Sequence, residues 1–181
     1  FSMRSIASDD RAEDGKSWRQ VLLDYHRAPG ENPLRLVPAY RLYDVNVYQR
    51  LAECFGLRNL YILSAGWGLI RADFLTPYYD ITFSKAQNVQ PYKRREKSDR
   101  YADFCMLSDD ADKDIVFLGG KDYLPLFCDL TKAVSGRRTV FYNSSIVPKL
   151  DGCTLRLFET TTLTNWHYEC ARAIIDGSIS L

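Results

Sequence analysis

The chain has 181 residues, 46% hydrophobic and 26% charged, and carries a formal net charge of +1. That composition is ordinary for a folded α/β or mixed chain, and the near-zero net charge excludes bulk attraction to a polyanion as a guide to function. No apolar run approaches the roughly 20 residues that span a bilayer, so no membrane partner is expected.

Residues 1 to 16 are polar, mixed in charge and without periodicity, and read as a flexible N-terminal segment. The opening Phe1-Ser2-Met3-Arg4-Ser5 has no apolar signal region, and a start on Phe1 reads as missing upstream sequence or a tag remnant before Met3. Ser17 is a candidate cap for a helix whose Trp18, Val21, Leu22 and Tyr25 share one face. After the proline-marked stretch Pro29 to Pro38, Asp44 is a candidate cap for a second helix. Its stripe is Tyr48, Leu51, Ala52 and Phe55, with Gly56 as the stop.

An apolar strand, Leu60 to Leu63, then ends at Ser64-Ala65-Gly66-Trp67-Gly68, and a long loop is expected to run from there to Phe83. Two readings of this turn stay open. A strand feeding a small-residue loop is how open α/β sheets build ligand sites. The same residues also suit a tight turn whose Trp67 fills the core. No G-x-G-x-x-G opens a helix and no Walker lysine follows, so no cofactor is implied.

From Lys85 to Arg100 six basic residues stand against two acids, Glu96 and Asp99, with Tyr92 and Tyr101 at the flanks. Lys93, Arg94, Arg95 and Lys97 form its densest part and are candidate nucleic-acid contacts, by phosphate pairing with base stacking nearby. A solvated helix face or loop is the alternative. Ser98 to Met106 reads as a helix. Asp114 to Leu118 is a second buried strand, ending on Gly119-Gly120. A helix follows, capped by Asp122, with Pro125 in its first turn. Strands at Thr139 to Tyr142 and Thr154 to Phe158 come next, then a last helix capped near Thr164 or Asn165 and stopped at Gly177.

Alternating helices and buried strands predict an α/β fold. The expectation is a mainly parallel sheet with helices on both faces, in a single compact domain from 17 to 181. In such a sheet the strands at 59–64, 114–118 and 139–142 would be parallel neighbours, and their loops would share one rim. Five scattered cysteines without a C-x-x-C pair read as reduced thiols of a cytoplasmic protein, and two isolated histidines give no metal site.

Ile62 to Leu69 followed by Pro77-Tyr78-Tyr79-Asp80-Ile81-Thr82 resembles the ILSA-x-(aromatic)-GL … PYD-x-T signature of YaaA-like domains. Pro38-Ala39 with Leu42-Tyr43 is similar to their PA-x-x-LY element. Asp114 to Tyr123 looks like their second strand and its glycine-tyrosine loop. The resemblance covers roughly residues 38 to 142 and implies a small bacterial or phage α/β protein in a DNA-modification, stress or antiviral-defence setting. Related domains open with a strand into a serine-rich basic turn, of which only Ser2 to Ser5 could stand for the end; Thr164 to Tyr168 has no counterpart.

The chemistry expected of the shared rim follows from its residues. Amides of Ala65, Gly66, Trp67, Gly68, Gly119 and Gly120 would receive an anion, and Trp67, Tyr78, Tyr79 and Tyr123 would stack on a nucleobase. Asp80, or Asp73 in its place, is the candidate catalytic carboxylate for N-glycosidic cleavage, with Ser64 and His167 as further catalytic candidates. Asp80 as a simple turn cap, and His167 as a packed aromatic neighbour of Trp166 and Tyr168, are the structural alternatives. A nucleotide or nucleic acid is the expected partner. A protein partner held by the Trp67 loop is the rival.

Overall fold

The computed structural model describes residues 6–43, 46–83, 93–108, 113–162 and 164–181, and the backbone alone of Lys93. Ser2 to Ser5, the Asp44 cap, Lys85 and Tyr92 lie outside the described residues. The chain divides into two compact units, Phe1–Leu107 and Ser108–Leu181. Both combine helices with strands; the first pairs its strands in parallel and antiparallel fashion, the second in parallel.

In the first unit, α1 (Trp18–Arg27) starts where Ser17 Oγ accepts the Gln20 amide at 3.2 Å, as its sequence predicts. Its other early amides are taken by the preceding segment: Trp18 N donates to Asp10 O and Arg19 N to Ser8 O, each at 2.9 Å. That segment is irregular, but Ile6, Ala7 and Ser8 are buried, so it is packed there rather than free. After β1 (Val37–Pro38) comes α2 (Asn46–Phe55), which stops at Gly56.

β2 (Tyr61–Ser64) and β3 (Gly68–Arg71) form an antiparallel hairpin, followed by β4 (Leu75–Thr76), β5 (Ile81–Thr82), β6 (Lys93–Arg94) and β7 (Phe104–Cys105). The stretch expected to be one long loop therefore holds three strands. Leu69 and Ile70 are both buried, so β3 lacks the alternation that marks a half-exposed strand. β1 pairs antiparallel with β4, β5 parallel with β6, and β7 parallel with β3. The helix expected at 98–106 is absent, and its end is β7 instead. Gly68 makes that pairing possible: a Cβ there would lie 2.5 Å from Phe104 O, and its φ is +80°. Trp67, Ile70, Leu22, Phe74 and Phe104 are central to the core beneath.

In the second unit, β8 (Ile115–Phe117), α3 (Leu124–Thr131), β9 (Arg138–Tyr142), β10 (Cys153–Leu157) and α4 (Trp166–Ile175) follow in order. Their sheet is wholly parallel, in the order β10-β9-β8. A 3-10 turn at Lys121–Tyr123 leads into α3, whose first turn holds Pro125; the residue at the cap position is Tyr123, not the expected Asp122. The Phe117 and Phe127 rings stack at 4.7 Å between β8 and α3. α4 begins after Asn165 (φ +62°), with Glu169 accepting hydrogen bonds from the Thr160 and Thr162 hydroxyls.

One expectation needs correcting at the level of topology. The strand 61–64 is not a parallel neighbour of the strands at 115–117 and 138–142. It pairs antiparallel with β3 in the sheet β2-β3-β7, while the other two pair in β10-β9-β8. Five residues from Ser64 to Gly68 suffice to turn the chain back, which leaves no room for a crossover helix.

Candidate functional site

Ser64 ends β2 with its side chain 1% exposed, and its Oγ is the hub of the hairpin turn. It accepts the amides of Gly66 and Trp67, each at 3.1 Å, and the phenol of Tyr79 at 2.6 Å. Tyr43 Oη lies 3.2 Å from Tyr79 Oη. Tyr79 has one proton and gives it to Ser64, so Tyr43 is the donor of that second bond. The chain Tyr43–Tyr79–Ser64 thus ties the segment between β4 and β5 to the hairpin turn.

This geometry decides between the two readings of Ser-Ala-Gly-Trp-Gly. Trp67 is 0% exposed and edge-on to Tyr79 at 5.7 Å, so it is a core residue and not a stacking face for a base. The Gly66 and Trp67 amides serve Ser64 and are not open to an anion. Gly66 O accepts the Ser8 amide at 3.1 Å, and a Cβ on Gly66 would crowd Ile6 O, Ile81 and Tyr79 at 3.3 Å. Ser64, Gly66, Trp67 and Gly68 are therefore the frame on which the neighbouring segment is mounted. A nucleophilic role for Ser64 fits poorly, since three donors already converge on a buried Oγ.

The segment so mounted is Pro77-Tyr78-Tyr79-Asp80. Tyr78 is 39% exposed. Asp80 is half-buried, and its carboxylate has no hydrogen bond or ion pair among the described residues. Burial alone pushes its carboxyl above the usual carboxylate value. A turn-capping aspartate would bond neighbouring amides, and this one does not. Two further polar atoms near the turn, Ser8 Oγ and Trp67 Nε1, are buried without a partner among the described residues.

The basic segment splits. Arg95 is 3% exposed and bidentate to Asp103 at 2.8 and 2.6 Å, with Nη1 also donating to Ala65 O at 3.0 Å. Its guanidinium lies 4.2 Å from the Tyr101 ring centroid. Arg95 is thus removed from the candidate phosphate contacts: it fastens the segment after β6 to the hairpin turn. Arg94, ion-paired to Glu96 at 3.2 Å, and Lys97 remain exposed. Asp103 went unnoticed in the sequence because it lies in a run of alternating charges; its only signal was an aspartate just ahead of Phe104.

The remaining candidates lie in the second unit. A Cβ on Gly119 would press on the Phe117 ring at 2.6 Å, whereas Gly120 has open space around it. Tyr123 N donates to Gly120 O at 3.0 Å, closing the 3-10 turn. His167 stands edge-on to Trp166 and 4.2 Å from the Tyr168 ring, and burial lowers its imidazole below the ordinary value.

Among the described residues no three His, Cys, Asp or Glu side chains are grouped to hold a metal ion, and no helix is long and apolar enough to cross a membrane. Comparison of the chain with protein-family models, curated proteins and solved structures gives no match.

Proposed function

We propose that the Tyr78–Asp80 segment binds a nucleoside unit, as a nucleotide or within a nucleic acid, and that Asp80 promotes cleavage or exchange of its N-glycosidic bond. The observation that carries this reading is the half-buried Asp80 carboxylate, unpartnered among the described residues, beside the partly exposed ring of Tyr78. Removing a carboxylate from water without pairing it costs stability, so such a group is retained where a cationic or protic ligand meets it. In the reaction, positive charge develops on the sugar's anomeric carbon as its bond to the base nitrogen breaks. Asp80 stabilises that charge, and Tyr78 offers a face to the base. Water, or a second base in an exchange, adds to the sugar carbon, and the departing base takes up a proton. The resemblance to YaaA-like domains supports a nucleic-acid-modification or defence setting for this chemistry.

The test is release of free base from a panel of nucleosides, nucleotides and single-stranded DNA, read by chromatography. Asp80→Asn should fold, bind within a few-fold of the parent, and lose roughly 10²-fold or more in turnover. A fully active Asp80→Asn ends the assignment.

A second reading, nucleic-acid binding without catalysis, is favoured by the exposed Arg94, Lys97 and Arg100 in one short stretch. Salt-sensitive DNA binding with no base release from any panel member would select it.

A further inference from the structure

We propose that Cys128 and Cys153 are a paired oxidative modification site, closing to an intramolecular disulfide when the protein meets a peroxide. The geometry begins with register. Cys153 opens β10 directly opposite Arg138 of β9, and residues opposite one another in neighbouring strands project to the same face. Arg138 shows which face that is: its Nη1 donates to Thr131 Oγ1 of α3 at 3.5 Å, and its Nη2 to Asp151 O at 3.2 Å. Cys153 therefore faces α3. Cys128 lies three residues before Thr131 on that helix, hence on the same side.

In the turn into β10, Gly152 has φ +68°, a conformation that favours glycine, and a Cβ there would lie 2.6 Å from Arg138 Nη2. Burial first, and then the neighbouring Cys153, push the Cys128 thiol up. Both side chains are half-buried, open enough for a small oxidant and closed enough to disfavour a second protein. Cys170 differs: it is buried and its thiol is pushed up to about 12.

The step balances with hydrogen peroxide as oxidant. One thiolate attacks a peroxide oxygen, the O–O bond breaks, and sulfenic acid and hydroxide form. The second thiolate attacks the sulfenic sulfur, the S–S bond forms, and the S–O bond breaks to release hydroxide. The two sulfurs lose two electrons, the peroxide gains them, and the two thiol protons convert the hydroxides to water.

The experiment treats the folded full chain with hydrogen peroxide and counts reactive thiols. Two of the five cysteines should be lost, and dithiothreitol should restore them. Non-reducing peptide mapping should find the Cys128 and Cys153 peptides joined within one molecule. Cys128→Ser and Cys153→Ser should each abolish that link, and Cys54→Ser should leave it. The melting midpoint of the oxidised form should exceed that of the reduced form by about 3–8 °C. Cys128 and Cys153 remaining free to alkylation after treatment, or joined only to other cysteines, overturns the proposal. Mapping of the unsubstituted protein decides this even where a serine variant fails to fold.

Discussion

Tyr79 donates its phenolic proton to Ser64 Oγ at 2.6 Å, across 15 residues of sequence, and so fixes the residue next to it, Asp80. The hydroxyl offered as a further catalytic candidate anchors the carboxylate's segment. The anchor has a measurable worth. Tyr79→Phe removes one hydrogen bond and should cost about 0.5–1.5 kcal/mol by denaturant unfolding. Ser64→Ala also strands the Gly66 and Trp67 amides, and should cost more, about 1–3 kcal/mol. Because both touch one bond, the double variant should be less destabilised than the sum.

Two glycines that look alike in sequence should behave oppositely. Gly68→Ala forces a positive φ on alanine and drives its Cβ into the Phe104 backbone, so a loss of more than about 2 kcal/mol is expected. Gly120→Ala meets open space, and its melting curve should overlay the parent's within about 0.5 kcal/mol.

Neighbouring arginines divide in the same way. Arg95→Met leaves Asp103 buried without its partner and should destabilise by about 3–5 kcal/mol; adding Asp103→Leu should recover part of that loss. Arg94→Ala and Lys97→Ala should each change stability by less than about 0.5 kcal/mol. If these two touch phosphates, each should lower the log-log salt slope of nucleic-acid binding by roughly one.

Asp80 and His167 should give pH effects of opposite sign. The Asp80 carboxyl is raised above 3.8, so just above that pH the folded chain holds more protons than the unfolded one. Stability falls as pH climbs through that window, and the cost of the charged form persists at neutrality. Asp80→Asn should therefore melt at the parent's temperature or up to about 3 °C above it at pH 7, with the gap closing below pH 3.8. The His167 imidazole is lowered below 6.5, so its contribution is complete above 6.5 and is lost as pH falls from there through the folded value. His167→Phe should flatten melting curves recorded between pH 6.5 and more acid conditions. An unaltered pH profile in either variant would remove the corresponding assignment.

What the sequence made legible was whatever repeats over several residues. Ser17 and the Trp18–Leu22 face located α1, and the alternation of apolar runs with helical stripes located β8, α3, β9, β10 and α4. Strands of two residues, such as β5 or β7, carry no period and stayed hidden. Trp67 stayed open between a stacking face and a core filler because its neighbours in sequence are small, while the rings beside it in the core, Tyr79, Phe74 and Phe104, come from elsewhere in the chain. Asp80 stood out in Pro-Tyr-Tyr-Asp. That it lacks a partner among the described residues, and that Ser64 holds its neighbour, could be learned only from three dimensions.

Gly68 belongs to two ladders of very different span. It faces Ser64 four positions away in the hairpin and Phe104 far down the chain. Hairpins close in roughly 1–10 μs, whereas distant parallel pairing must first overcome the entropy of a long loop. The β2–β3 hairpin should thus form early in refolding and wait, one edge of β3 unpaired, until residues 103–105 arrive. That open edge is where a nascent or heat-stressed chain would pair with a second molecule. Aggregation during refolding should therefore rise with protein concentration and fall when β7 is held near the hairpin by the Arg95–Asp103 pair.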